Sequence, residues 1–152
     1  MTSTALPPSQ PIPDEETAYA RADEHIADAV AALGEPVRLE PGIRNSVAFD
    51  AGEMGTDLLC NVEVSYTLED LPDDEPPAER NARYFAALKD FWTQRGYVVR
   101  SDSATATDPQ PEWFRALHVE HPADRCRLSL KQGKPGNLWI TASMVALTGE
   151  PG

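Results

Sequence analysis

The stretch WFRALHVEHPADRCRLSLKQGKPGNLWITASMVAL, residues 113–147, decides the fold of this chain. Three segments in it, residues 113–120, 125–131 and 138–147, alternate apolar with polar side chains, as half-buried strands do. Short turns that contain Pro, Gly, Asp and Asn separate them. Strands that follow one another through short turns pair antiparallel. This stretch therefore predicts three neighbouring strands of an antiparallel sheet.

Two amphipathic helices are predicted upstream of this stretch. The first begins at Asp14 and ends before Gly34, and its apolar side chains recur at steps of three and four residues. The second follows Pro76 and Pro77, ends at Gly96 and carries a broad aromatic face. The apolar positions are Tyr19, Ala22, Ile26, Ala29, Val30 and Leu33 in the first helix, and Ala82, Phe85, Leu88 and Trp92 in the second.

The remaining strands complete an α+β order. Residues 58–68 alternate regularly, and shorter strands are predicted at residues 46–49 and 97–100. The predicted order is α-β(β)-α-β-β-β-β, an antiparallel sheet of about five strands with both amphipathic helices on one face. A chain of 152 residues suits a single domain, here residues 14–148, preceded by a disordered arm at residues 1–13.

Charge is unevenly distributed along the chain. The first 79 residues carry eighteen Asp and Glu against three Arg, a net charge of −15, whereas residues 80–152 carry ten Lys and Arg against seven Asp and Glu, a net charge of +3. Such an acidic surface repels nucleic acid and anionic membranes and attracts basic proteins. An exposed tryptophan on a polar strand face would be a further interface anchor. We therefore expect a basic protein partner, in contact with Asp23, Asp70, Asp73, Asp74, Glu75 and Trp139.

The sequence predicts no membrane insertion and no secretion signal. No run approaches the ~20 apolar residues of a membrane helix, and residues 1–10 lack the basic and apolar segments of a signal peptide. We expect a cytoplasmic protein if Met1 is the native start, or a cell-envelope protein if an N-terminal signal was removed. In either case we expect the free protein to be a monomer.

Two cysteines, Cys60 and Cys126, leave two interpretations open. Both alternate in phase with apolar strand residues, which places both on the core side of a strand. They are either buried free thiols, which is common for cysteine, or the two ends of a single disulfide between strands. The disulfide would imply an oxidising compartment.

Residues 118–121, His-Val-Glu-His, form the string that most suggests a metal or catalytic site. Zinc deaminases combine H-x-E with a later C-x-x-C, but only Cys126 follows here. On a strand, His118 and Glu120 share one face and His121 points to the other, so we expect His118 and Glu120 to face solvent. A nucleophile elbow, a calcium loop and a phosphate loop are also missing. We expect no metal, no cofactor and no catalytic activity.

Residues 84–99, YFAALKDFWTQRGYVV, and residues 119–140, with their VEHP turn and RLSL strand, carry a recurring pattern. A Y-F-x-A-L-x-x-x-W-x-x-x-G-Y helix followed by a strand and a hairpin resembles small actinobacterial exported proteins, which are often lipoproteins. The resemblance covers most of the chain, and it implies an α+β fold and an envelope location but no particular chemistry. The Ser-Pro-Cys typical near the end of such proteins is replaced here by Ala142-Ser143-Met144.

Three functional interpretations follow. The first is a non-catalytic acidic binding protein that docks a basic partner, such as a toxin or an enzyme, in the manner of an immunity or inhibitor protein. The second is an envelope-anchored accessory domain with residues 1–13 as its tether. The third is a small hydrolase or metal enzyme at His118, Glu120 and His121. The missing catalytic motifs favour the first interpretation.

Overall fold

The elements follow the predicted α+β order. The computed structural model describes residues 14–50, 58–71, 74–103, 114–133 and 137–147, so the predicted arm at residues 1–13 lies outside the described residues. In chain order the helices and strands are α1 (Glu15–Ala31), β1 (Arg38–Asp50), β2 (Leu58–Glu69), α2 (Pro77–Gln94), β3 (Val98–Asp102), β4 (Arg115–Glu120), β5 (Arg127–Gln132) and β6 (Leu138–Leu147).

The strands form one antiparallel sheet in the order β1-β2-β6-β5-β4-β3. The three C-terminal strands are neighbours, as the opening stretch predicts. Six strands are described rather than the expected five or so, because β1 is a full strand. The chain passes from β2 to the opposite edge of the sheet through α2, so β3 becomes an edge strand beside β4.

The extent of β1 is the main difference from the prediction. Residues 46–49 were expected to form a short strand, with Pro41 and Gly42 as breakers, but β1 runs for 13 residues. It is an edge strand, and the register shifts between Pro41 and Arg44. Proline is tolerated at such edges and bulges because no ladder hydrogen bond needs its missing N–H. A Cβ at Gly42 would lie 2.9 Å from Ser65 Oγ, so a larger residue here would displace the Ser65 side chain.

Both helices begin and end where their sequences predict. Asp14 caps α1 by accepting a hydrogen bond from the Thr17 amide at 2.7 Å. Pro77 occupies the first turn of α2, and Gly96, with φ +87°, ends that helix in the left-handed region. The side chains that the helices bury are Ala18, Ala22, Ile26 and Ala29 from α1, and Tyr84, Phe85, Leu88 and Trp92 from α2.

The core lies between the helices and one face of the sheet. Val62 from β2, Leu128 from β5 and Ile140 from β6 are almost completely buried there with both helices. No described helix covers the opposite face, which we call the open face. A row of paired positions crosses it through five strands: Ser101, His118, Ser129, Thr141 and Ser65.

Candidate functional site

Four polar side chains from separate parts of the chain meet at one end of the helix layer. His25 lies at the edge of the buried stripe of α1, one turn from Ala22 and from Ala29. Tyr97 directly precedes β3, and His121 and Asp124 belong to the turn between β4 and β5. We call His25, Tyr97, His121 and Asp124 the histidine cluster.

Local backbone geometry fixes the turn that carries half of this cluster. The His121 amide donates to the Cys126 carbonyl at 2.8 Å, and the Arg125 amide donates to the His121 carbonyl at 3.0 Å. Asp124 Oδ1 accepts a hydrogen bond from the Cys126 amide at 2.9 Å. These bonds hold the Asp124 carboxylate in one orientation, towards α1.

A continuous chain of hydrogen bonds connects Tyr97, His25 and Asp124. His25 Nε2 lies 2.8 Å from Asp124 Oδ2, and His25 Nδ1 lies 2.7 Å from the Tyr97 hydroxyl oxygen. An ionised carboxylate only accepts hydrogen bonds, so the Nε2–H of His25 donates to Asp124. In a neutral imidazole Nδ1 then accepts from the Tyr97 hydroxyl.

His121 completes the cluster through its ring. The ring centroid of His121 lies 4.9 Å from the ring centroid of His25 and 4.9 Å from the ring centroid of Tyr97. His121 Nδ1 accepts from the amides of Ala123 at 3.1 Å and Asp124 at 3.3 Å, and it lies 3.2 Å from Asp124 Oδ1. The side chains of His25, His121 and Asp124 are 12, 26 and 10% exposed, so the cluster is largely shielded but open to solvent at His121.

The surroundings shift the pKa values of these groups in different directions. Burial raises the pKa of the Asp124 carboxyl, but the His25 hydrogen bond, the Cys126 amide and the nearby imidazoles outweigh burial, so its pKa lies below the ordinary value. Burial lowers the pKa of His121. Burial raises the pKa of the Tyr97 hydroxyl. At neutral pH the cluster therefore holds a carboxylate, a neutral His121 and a protonated tyrosine.

This arrangement places hydrogen-bonding and metal-ligating groups side by side. The order Tyr97–His25–Asp124 has the connectivity of a nucleophile–base–acid triad, and burial raises the pKa of the Tyr97 hydroxyl. What the cluster offers is two imidazoles and one carboxylate at close range, supplied by α1 and by the β4–β5 turn.

Of the three described partner-binding acids in the loop before α2, Asp70 and Glu75 form ion pairs within the chain. Asp70 is hydrogen-bonded to Arg38 Nε at 2.8 Å. Glu75 forms an ion pair with Arg83. Asp74 is exposed and forms no ion pair with a described residue.

The structure describes one of the other two predicted acids, Asp23, but not Asp73. Asp23 forms an ion pair with Arg44 at 3.2 Å and accepts a hydrogen bond from the Tyr66 hydroxyl at 2.9 Å. Asp73 lies outside the described residues. Of the predicted acids that the structure describes, only Asp74 is without a cationic partner.

The structure does not bring His118, Glu120 and His121 together. His118 lies on the open face, opposite Ser129, whereas His121 joins His25 in the histidine cluster. The expectation that Glu120 faces solvent is wrong, because Glu120 is only 5% exposed. Its carboxylate is covered by arginine side chains, namely Arg125, Arg100 at 3.6 Å and Arg127 at 3.8 Å.

Trp139 lies on the open face, where the sequence alternation places it. It is partly buried and pairs with Lys131 and Thr67 on the two neighbouring strands. A Cβ at Gly133 would lie 3.1 Å from the Trp139 ring, so the indole packs directly over that glycine. Trp139 therefore belongs to a different surface from the acids of α1.

Cys60 and Cys126 are both buried, and no disulfide joins them. The sheet explains why. Strand β6 lies between β2, which holds Cys60, and β5, which begins directly after Cys126. Two strand spacings amount to about 9.6 Å, more than the ~7 Å that a disulfide allows between Cα atoms.

Sequence reasoning missed His25, Tyr97 and Asp124 as members of one site. His25 looks like an ordinary position beside an apolar helical stripe, and Tyr97 like the start of a strand. The signal that was available is the sequence His121-Pro122-Ala123-Asp124, in which an imidazole and a carboxylate share a tight turn. The two remaining contacts span 72 and 99 residues of chain and have no sequence signature.

Comparison with known proteins adds no identification. No family model, curated protein or solved structure matches this chain. The resemblance to actinobacterial exported proteins therefore stays a prediction. Neither described helix is long and apolar enough to cross a membrane.

Proposed function

We propose that this protein is a non-catalytic binding protein that docks a basic protein partner, in the manner of an immunity or inhibitor protein. The observation that carries the proposal is a row of unpaired carboxylates on the outer face of α1. Glu16, Glu24 and Asp28 are all exposed, and none forms an ion pair with a described residue. We call these three residues the acidic stripe.

The spacing of the acidic stripe matches one face of a helix. Its members are eight and four residues apart, with the exposed Ala20 in the position between Glu16 and Glu24. Twelve residues of α-helix span about 18 Å. The small side chain of Ala20 leaves room for long lysine and arginine side chains of a partner to reach Glu16 and Glu24.

The helix that carries the stripe is held rigidly. Its N-terminus is capped by Asp14, and its opposite face is buried on the sheet. Near its middle, His25 is hydrogen-bonded to the β4–β5 turn and to Tyr97. A charged surface that is already ordered loses little conformational entropy on binding, and its field accelerates encounter with a basic partner.

The ion pairs of the other acids reduce the number of carboxylates that are available to a basic partner. Because Asp23, Asp70 and Glu75 each have an arginine partner, they contribute less net field than their number suggests. We place the main docking surface on the acidic stripe, with Asp74 as an additional contact.

The test is affinity capture from the native host with wild-type protein and with the triple variant Glu16→Gln, Glu24→Gln, Asp28→Asn. We expect a basic protein to be retained at low ionic strength, to be released as salt increases, and to associate with the variant roughly tenfold more slowly once purified. The change removes three charges and leaves every buried contact of α1 in place.

The matched control is Glu63→Gln, Glu79→Gln, Asp90→Asn, which removes the same number of charges from β2 and α2. It should retain the partner nearly as well as the wild type. The proposal is wrong if the wild type retains no protein even at low ionic strength, or if both triple variants weaken capture equally.

A further inference from the structure

Three metal-ligating side chains converge in the histidine cluster. His25 from α1 and His121 and Asp124 from the β4–β5 turn each offer one ligand atom, and these atoms all lie within 4.8 Å of one another. We propose that His25, His121 and Asp124 bind a zinc-type transition-metal ion that links α1 to the β4–β5 turn. This inference goes beyond the proposed function and does not depend on it.

The donor set selects the class of metal. Two imidazole nitrogens and one carboxylate oxygen are the ligands of zinc and of similar transition-metal ions, whereas calcium and magnesium require oxygen ligands throughout. Three protein ligands leave one position of a tetrahedral site for water or for a small ligand. His121 is the most exposed of the three, so the open position lies on its side of the cluster.

The surrounding hydrogen bonds are those that a metal site needs. A metal-bound histidine usually donates its other ring N–H to a fixed acceptor. His25 has such a partner, because the Tyr97 hydroxyl lies 2.7 Å from Nδ1 while Nε2 faces Asp124. Asp124 is oriented in turn by the Cys126 amide at 2.9 Å.

His121 presents Nδ1 to the same site. The Ala123 and Asp124 amides donate to Nδ1, so Nδ1 carries the lone pair of the neutral ring and Nε2 carries its proton. At 3.1 and 3.3 Å these amide contacts are long, and a metal ion would take the lone pair from them. Nδ1 lies 3.2 Å from Asp124 Oδ1, and the ligand atoms of the three residues lie within 4.8 Å of one another.

Binding requires one small movement and a change of tautomer at His25. Ligand atoms at tetrahedral zinc are roughly 3.3 Å apart, whereas His25 Nε2 and Asp124 Oδ2 are now 2.8 Å apart with a proton between them. The metal therefore takes the place of that proton, which moves by way of solvent to Nδ1 of the same neutral ring, and the two side chains separate by about 0.5 Å. His25 keeps its bond to Tyr97 by donating from Nδ1.

The experiment is a titration of EDTA-treated full-length protein with Co²⁺, which reports tetrahedral nitrogen and oxygen ligation through intense visible absorption bands, and with Zn²⁺, followed by thermal unfolding. We expect the Co²⁺ bands to appear and to be abolished by Zn²⁺. Zinc at hundredfold excess over its Kd should raise Tm by roughly 5–10 °C.

The chain supplies its own control, because its third histidine, His118, lies on the open face. His25→Gln and Asp124→Asn should abolish the Co²⁺ bands and the Tm increase, whereas His118→Gln should leave both unchanged. If His25→Gln does not fold in EDTA, His121→Gln, which changes only a partly exposed turn residue, should give the same loss. The proposal is overturned if the wild type shows neither effect, or if His118→Gln reduces them as much as the cluster variants.

Discussion

Replacing Asp124 with alanine should destabilise the domain by about 3 kcal/mol in the absence of metal. The Asp124 side chain is 10% exposed, and it accepts hydrogen bonds from His25 Nε2 at 2.8 Å and from the Cys126 amide at 2.9 Å. Each buried donor that loses its acceptor costs about 1–3 kcal/mol. At about 1.5 kcal/mol for each of the two donors, the expected loss is about 3 kcal/mol. This is a large share of the 5–15 kcal/mol unfolding free energy that is typical of a whole domain.

Urea unfolding in EDTA, followed by tryptophan fluorescence, measures this loss. Asp124→Asn should cost about half as much, because its side-chain oxygen still accepts from the Cys126 amide. Asp90→Ala is the control, since Asp90 is exposed and its carboxylate accepts only from Gln94 one turn away. It should change the free energy of unfolding by no more than about 0.5 kcal/mol.

A double-mutant cycle tests whether His25 and Asp124 act together. If their contact carries the stabilisation, Asp124→Ala should cost less when His25 is already alanine, with a coupling free energy of about 1–2 kcal/mol. Additive costs would contradict the reasoning. So would an Asp124→Ala variant as stable as the Asp90→Ala control, because the hydrogen bonds would then contribute nothing to folding.

Three further outcomes are expected. The folded-state pKa of Asp124 is lowered, so the stabilisation of the fold by its carboxylate should be complete above the unfolded pKa of about 3.9. That stabilisation should disappear as pH falls through the folded pKa. The difference in unfolding free energy between wild type and Asp124→Asn should therefore be constant at pH above about 5 and shrink below about 4. Burial raises the pKa of the Cys60 and Cys126 thiols, so neither should react with a thiol reagent in the native protein, whereas both should react in denaturant. Rapid labelling of either cysteine in the native protein would contradict their burial. Gly96→Ala should cost about 1–2 kcal/mol because φ is +87° there, and an unchanged urea midpoint would show that the end of α2 relaxes freely.

Most of the fold could be predicted from local patterns of apolar and polar residues. A period of two residues placed Leu128 and Leu130 on the core face of β5, and steps of three and four residues placed Ala22 and Ile26 on the buried face of α1. These periods follow from strand and helix geometry alone. The pattern failed at β1, where Pro41 and Gly42 indicated a break, because an edge strand tolerates residues that a central strand does not.

The functional surfaces could be predicted only in part from the sequence. The acidic residues were correctly seen as concentrated in the first half of the chain, but their pairing with Arg38, Arg44 and Arg83 depends on how the elements pack. Likewise, the alternation of Cys60 and Cys126 correctly predicted burial but not the strand between them.

The sequence by itself determined the element types, the antiparallel hairpins, the helix ends and the excess of acid in the first half, because each depends on neighbours within a few residues. Only the tertiary structure decided which acids stay unpaired and which polar side chains meet. His25 reaches Tyr97 and Asp124 across 72 and 99 residues of chain, because α1 packs on the sheet beside the β4–β5 turn. Such contacts are set by the burial of the core and not by any local pattern, which is why the histidine cluster appears only in the folded molecule.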